Sequence, residues 1–433
     1  MLGGDVEYKE IVETIFDRLW PIARSITGDG VRETHKIISE FIPLNTYEVS
    51  TGEAVFDWNI PKEWKVNEAY IIDPDGKQIL DFNENNLHLI NYSTPFSGKL
   101  SLMELNEFLH SMPEMPDAIP YKTSYYRETW GFCISHKERL KLKEGVYDVV
   151  VDTSLFDGAL TISDCVIPGR SKKEILVHTY TCHPSLAINE LSGVLVTLGI
   201  AMRMLESGDN FYTYRFVFAP ETIGAITYLS KNAVHLKEYL EAGYICTCVG
   251  HDGSFNYKKS RKNDSIADRA VHHYFKQNDQ LEFKSQDFSP SGSDERQYCS
   301  LGINLPVGSL MRTPYHQYPE YHTSLDNKSV ISFKAVCDTV EAYVGIFDLI
   351  EKNKTYKISK MNCEPYMSKY EGLYVNKDHR FASDLTKAVK WMIHYSDGNH
   401  DLIKISQLSG INVNILNEAA SRMCDVELLS RLD

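Results

Sequence analysis

No two of the nine cysteines, at positions 133, 165, 182, 246, 248, 299, 337, 363 and 424, form a CxxC pair, and nine is odd. That argues against a zinc ribbon and a disulfide framework and makes reduced thiols in a cytoplasmic protein the expectation. Also lacking is any run of about 18 apolar residues, so no membrane span is expected. Positive charge is in short supply: 45 Lys and Arg stand against 59 Asp and Glu, a net −14, which argues against a chain built to grip phosphate backbones. The opening MLGGDVEYKEIVETIF is acidic where a secretory signal is basic. What remains is an ordinary globular composition, 43% hydrophobic and 24% charged over 433 residues, with length for two or three domains.

Ile11, Ile15, Leu19, Ile22 and Ile26 recur at spacings of three and four, which predicts an amphipathic helix closing near Gly28, followed by a second helix over 31–41. From 47 onwards short alternating runs take over, among them AYIIDPDGKQIL, where Asp-Gly between two apolar strands signals a hairpin. The prolines of SMPEMPDAIPYKTSYYRETW accompany Tyr121, Tyr125, Tyr126 and Trp130, which read either as packing or as a substrate wall. Between 145 and 350, strand-like EILVHTY, RFVFAP and GYICTCVG alternate with helical LSGVLVTLGIAMRMLES and ETIGAITYLSKN. This predicts an α/β fold around a largely parallel sheet, whose chemistry belongs at the carboxyl ends of the strands. Near the C-terminus, DLIKISQLSG and INVNILNEAASRM read as helix, glycine turn, helix, the outline of a winged helix. Residues 380–433 hold six Lys and Arg against seven Asp and Glu, and the second helix offers only Arg422 as a cation, so nucleic acid is not the expected partner.

The strand ends supply groups suited to metal or proton chemistry. After Tyr180 come Cys182, His183, Asn189 and Glu190; after Ala219 comes Glu221; after Val249 come His251 and Asp252; and EYHTSLDN adds Glu320, His322 and Asp326. Imidazoles and carboxylates hold Zn²⁺ while leaving a position open for water, and a neighbouring carboxylate can take that water's proton. Singly, each has a plainer reading, His183 as a cap before a helix and Glu221 as an acidic group at a helix start. Their recurrence at successive sheet edges favours a site.

In this order, TCHPSLAINELSG, FVFAPETIGAITYL, CVGHDG, SGSDERQYCSLGI and YPEYHTSLDN resemble the aminopeptidase-like proteins labelled as polysaccharide-biosynthesis proteins, which are similar to zinc aminopeptidases and glutaminyl cyclases. FDWNIPKEW and ENNLHLINYSTPF resemble that family's inserted β domain, and the tail resembles its winged helix. The resemblance implies a zinc-peptidase-like α/β/α sandwich with a mixed, largely parallel sheet. Residues 1–46 and 130–352 would form the catalytic domain, 47–129 an inserted β-rich domain, and 353–433 a linker and winged helix. It implies His183 and His322 as metal ligands and Glu221 as the carboxylate that activates water. Where zinc aminopeptidases keep a bridging aspartate, Glu190 stands one position late; the second of their two consecutive glutamates is Thr222 here; their next aspartate falls on His251, with Asp252 beside it; and Tyr180 stands where one alignment expects a ligand histidine. Two close cations need such carboxylates to offset their repulsion. One Zn²⁺ held by His183, His322 and one or two of Glu190, Asp252 and His251 is therefore expected, with two ions as the alternative.

The implied activity is that of a cytoplasmic zinc-dependent hydrolase cleaving the amide of an N-terminal amino acid or a small aminoacyl conjugate. Asp294, Glu295, Arg296 and Tyr321 are the expected substrate-binding residues; a carboxylate there suits a free α-amino group, and Arg296 suits a carboxylate or sugar acid. The alternatives are a non-catalytic pseudoenzyme or binding scaffold, and glutaminyl-cyclase-like acyl transfer. The winged helix is assigned to packing or to a homo-oligomer.

Overall fold

The computed structural model describes residues 5–370, 373 and 383–432; the rest of the expected linker, residues 371, 372 and 374–382, lies outside them. The chain divides into two units, Met1–Ala267 with Glu282–Glu341, and Asp268–Leu281 with Ala342–Asp433. In the first, eight strands form a mixed sheet in the order Asn45–Ser50, Ala159–Ile167, Thr213–Ala219, Glu174–Tyr180, Leu240–Cys246, Val307–Met311, Phe255–Lys258, Phe283–Gln286. The strands from Thr213–Ala219 to Val307–Met311 run parallel, with antiparallel neighbours on either side. EILVHTY is buried at every position, as a strand covered on both faces must be. Helix Ser192–Ser207 lies directly against the sheet: a Cβ on Gly193 would meet Cys246 O at 2.4 Å and Thr179 Oγ1 at 2.7 Å, so this closeness requires glycine. Ala187–Ser207 is long and apolar enough to cross a membrane, yet 83% of that window is buried within the fold, as in a core helix.

The first helix spans Asp5–Leu19 and ends well short of Gly28, because Pro21 has no N–H to continue the ladder. The residues beyond it leave the helix and carry Arg24 into the interior, where it is 1% exposed. The second helix, Asp29–Ser39, follows the expected pattern closely.

A smaller antiparallel sheet orders Gln78–Ile79, Glu63–Ile72, Val146–Phe156 and Phe96–Ser101. The Asp-Gly hairpin closes between its first two strands, with Gly76 at φ 81° and Asp73 N–H donating to Lys77 O at 2.8 Å. Two strands cross the sequence-derived limits of this β-rich region. Asn45–Ser50 pairs in the large sheet, while Val146–Phe156 pairs in the small one. Alternation marks a half-buried strand but does not name its partner.

The second unit ends in a winged helix. Strands Thr355–Ile358, Asp397–Asp401 and Leu429–Arg431 form its sheet around helices Asp384–Tyr395, Leu402–Ser409 and Val413–Asp425. Ser383, Asp401 and Asn412 cap the three helices through their side chains, and Gly410 closes the middle one at φ 72°.

One buried histidine makes the first unit sensitive to acid. His35, 2% exposed, lies between Thr181 Oγ1 (2.9 Å) and Ser163 Oγ (2.8 Å), and burial pushes its pKa down to about 3. Unfolded, it takes up its proton near pH 6.5. Between those values the unfolded chain binds the extra proton, so stability falls as pH drops, by up to about 1.4 kcal/mol per unit, and is unaffected by this group above pH 6.5. Urea unfolding midpoints measured from pH 7.5 to 5 should therefore decline less steeply for His35→Gln than for wild type; parallel curves would contradict this account.

Candidate metal centre

The strand Glu174–Tyr180 delivers His183 to the sheet's carboxyl edge, and the strand Thr213–Ala219 delivers Glu221 beside it. His183 is 4% exposed and Glu221 Oε2 lies 3.7 Å from its Nε2. The opposite ring nitrogen, Nδ1, is 2.9 Å from Glu190 Oε2. Burial opposes charge on His183, but the hydrogen bond and charge of Glu190, together with Glu221, outweigh it and hold the pKa above the ordinary imidazole value. Donation of Nδ1–H to Glu190 fixes the ring with Nε2 on the Glu221 side, the arrangement by which a carboxylate orients a ligand histidine.

Glu190 is wholly buried, in a π-helical turn, Ala187–Leu191, that precedes the long core helix. The wider turn, closed by Leu191 N–H donating to Leu186 O at 3.1 Å, carries Glu190 to the loop that holds His183. Asp326 terminates the turn from outside, accepting from Ile188 N (2.7 Å) and Asn189 N (3.0 Å). The expected role of Glu190 as a ligand meets a full set of other partners. Oε1 accepts from Arg24 Nε at 2.8 Å; Oε2 accepts from Cys182 N at 2.8 Å, from His183 N and from His183 Nδ1. Cys182, His183 and Glu190 do place ligand atoms within 4.8 Å of one another. A cation there would face the Arg24 guanidinium across Glu190, and burial followed by the charges of Glu190 and Glu221 holds the Cys182 thiol well above its ordinary pKa. That trio is better suited to supporting His183 than to caging an ion. Arg24, the buried partner of Glu190, has no place in the sequence reading, since a lone Arg in PIARSITG carries no sign of a partner 166 residues away.

His322 comes from the loop before Asp326 and adopts φ 56°. Its Nε2 is buried with no hydrogen-bond partner. Tyr321 stacks on its ring at 3.9 Å, Tyr121 meets it edge-on at 5.2 Å, and the His183 ring lies 5.5 Å away. Burial, then the neighbouring His183 and His316, push its pKa down to about 3, which leaves a neutral imidazole. Tyr121 N–H donates to His322 O at 2.8 Å and its ring is 5.1 Å from His183, so one of the proline-flanked aromatics does border the site. Tyr321, expected at the substrate, is part-buried and lies beside the His322 ring. Tyr180, 5.0 Å from His183 ring to ring, donates its hydroxyl to Asn189 O.

The remaining candidates sit differently. Asp252 is exposed, and among the described residues no hydrogen bond or ion pair joins it to His183, Glu190 or His322. The strand before it ends at Cys246, and the chain then turns so that His251 Nδ1 meets Thr313 Oγ1 at 2.8 Å. Asp294 and Glu295 are fully buried instead of lining a substrate cavity. Asp294 Oδ1 accepts Thr222 N–H at 2.8 Å, and Glu295 pairs with the equally buried Lys258 at 2.7 Å. Burial, then the charge of Glu221, pushes the Asp294 pKa well above the carboxylate range. Its hydrogen bond pins Thr222, a β-branched residue at φ 63°, ψ −76°, directly after Glu221. Ser293 Oγ donates to Glu221 Oε1 at 2.9 Å. Ser293 and Asp294, neighbours in the chain, thus hold Glu221 and the strained turn behind it.

A family model described as a domain of unknown function, DUF4910, matches residues 13–353, and a winged helix-turn-helix model matches 354–431. A curated protein of Clostridium acetobutylicum (strain ATCC 824), named "Putative polysaccharide biosynthesis protein with aminopeptidase-like domain", is 42% identical over 421 residues, 96% of this chain and 95% of that protein. A crystal structure of a candidate peptidase from Clostridium acetobutylicum matches with a TM-score of 0.89 at 41% identity, covering 98% of this chain and 97% of its own. The Bacillus subtilis zinc aminopeptidase BSAP shares the fold at a TM-score of 0.58 and 12% identity, over 78% of this chain and 93% of its own.

Proposed function

The chain belongs to the DUF4910 family of aminopeptidase-like proteins, continued by a winged helix, and from this premise we propose that it is a zinc-dependent hydrolase of amide bonds in small peptide or aminoacyl substrates. The observation that carries the reading is the pairing of His183 Nε2, turned toward Glu221, with the partnerless His322 Nε2, on rings 5.5 Å apart. Imidazole nitrogens are donors that suit Zn²⁺. His183 and His322 would hold the ion, with Glu221 bordering it. When bound, the metal supplies Lewis acidity to the scissile carbonyl and to a water molecule. Glu221 takes the water's proton on Oε2 and returns it to the leaving amine, while Ser293 holds Oε1 so that one oxygen stays free for the transfer. Glu190, backed by Arg24, keeps His183 in the tautomer that presents Nε2.

Thr222, where a second glutamate is expected, supports one ion over two and also gives weight to a second reading, a non-catalytic scaffold. The winged helix is read as a packing element, because Arg422, the one cation of Val413–Asp425, is paired with Glu418 at 2.6 Å. Protein purified with zinc present should retain one equivalent by atomic emission, lose it in His183→Ala and His322→Ala, and cleave amides from a peptide and aminoacyl panel in a chelator-sensitive way. Absence of both bound zinc and cleavage would leave the scaffold; cyclisation of N-terminal glutamine without hydrolysis would identify acyl transfer.

A further inference from the structure

Of the three charged residues expected at the substrate, only Arg296 is not fully buried. Asp294 and Glu295 are 0% exposed, each with one oxygen bonded, to Thr222 N–H and to Lys258, and the other without a hydrogen-bond partner, so burial keeps both from the α-ammonium group of a peptide. Arg24, Arg32, Arg215 and Arg269 each have a carboxylate within 3.2 Å. Arg296, among the described residues, is in no ion pair. One of its five donors reaches Thr222 Oγ1 at 3.3 Å, and its Nε is buried with no partner. A desolvated N–H of a charged group left unmatched is costly, so such a donor points to a ligand that completes it.

The position of Arg296 relates it to the reacting groups. Thr222, which it touches, directly follows Glu221. Its charge is also felt by two tyrosines that feel the charge of Glu221. Burial raises the Tyr126 hydroxyl, Cys182 and Glu221 add to the rise, and Arg296 opposes it; burial, Glu295, Cys248 and Glu221 raise Tyr315, and Arg296 again opposes. A guanidinium hydrogen-bonded to the residue that follows the proton-transferring glutamate offers a planar fork matched to one carboxylate.

We propose that Arg296 is the specificity residue of this site and that the substrates are amides carrying a carboxylate beside the scissile bond, as in N-acyl amino acids and dipeptides, in preference to longer peptides recognised by their free amino end. This rests on the amide-hydrolase reading for its chemistry, but the carboxylate site can be tested separately. Two matched pairs serve as probes: alanyl-phenylalanine and its C-terminal amide, and N-acetyl-phenylalanine and its amide. Zinc-loaded wild type should cleave the acid of each pair with a kcat/KM about 10- to 100-fold above its amide, the range set by one charge-assisted contact. Arg296→Ala should erase that preference by lowering the value for the acids alone, and Arg296→Lys should restore it in part. In parallel, calorimetry on Glu221→Gln protein should find the N-acetyl acid bound about 10- to 100-fold tighter than its amide, with the difference lost on adding Arg296→Ala. Failure of the hydrolase reading leaves all four compounds uncleaved, and the calorimetric difference then decides. Equal binding and cleavage of acid and amide, or equal loss on both in Arg296→Ala, overturns the proposal.

Discussion

Glu221→Gln should reduce kcat by about 10²- to 10⁴-fold on whichever amide the protein cleaves best, with folding and zinc content unchanged. The substitution is close to isosteric. Its carbonyl oxygen can still accept from Ser293 Oγ, which now donates to Glu221 Oε1 at 2.9 Å, so the side chain keeps its place. What it loses is the ability to accept a proton on the oxygen 3.7 Å from His183 Nε2. Because the two histidines carry the metal in this reading, bound zinc should remain near one equivalent, and loss of activity at constant zinc separates a proton carrier from a ligand. Ser293→Ala should act in the same direction by a smaller factor, since it frees Glu221 to rotate without removing the base. Kinetics at saturating substrate, with metal analysis of the same samples, checks both. A Glu221→Gln variant that turns over within a few-fold of wild type would place the base elsewhere.

Much of this arrangement could be anticipated from strand patterns, and the failures have specific causes. EILVHTY and RFVFAP are strands too apolar to lie anywhere but the centre of a sheet, so His183 and Glu221 had to emerge on one edge. The third strand end misled because its regular pairing stops at Cys246. The intervening turn, with Cys248 at φ 53°, redirects His251 and Asp252, and a strand-end rule assumes the chain leaves straight. The charged residues of SGSDERQ are expected at the substrate, yet Asp294 and Glu295 are fully buried. The compensating groups, Thr222 N–H and Lys258, lie 72 and 37 positions away along the chain, and nothing local distinguishes a lysine destined for the interior from one on the surface. In the β-rich sheet the Asp-Gly hairpin was legible but the longer-range pairings were not, for the same reason: distant partners are a property of the fold.

Removing the charge of Arg24 should cost about 3–5 kcal/mol of stability, because Arg24→Met leaves Glu190 buried at 0% exposure without its counter-ion. Replacing both charges does not rescue the protein as it can for a simple buried pair. Glu190 also accepts the backbone N–H groups of Cys182 and His183, which an apolar residue would leave unpaired. Glu190→Gln fares little better: an amide that keeps its oxygen toward those N–H groups turns its own NH₂ toward the Arg24 donors. Urea titration at pH 7.5 measures the loss for each variant. The same substitutions decide what the trio Cys182, His183 and Glu190 is for. If it supports a ligand histidine, Arg24→Met and Glu190→Gln weaken zinc binding about 10- to 100-fold by releasing the His183 ring, and Cys182→Ala leaves affinity nearly unchanged. If it were the metal cage, loss of Cys182 would abolish binding, and loss of the Arg24 charge would strengthen it by removing a cation 2.8 Å from a ligand oxygen. The opposite signs expected for Arg24→Met make zinc affinity, compared in protein still folded at low urea, the deciding measurement.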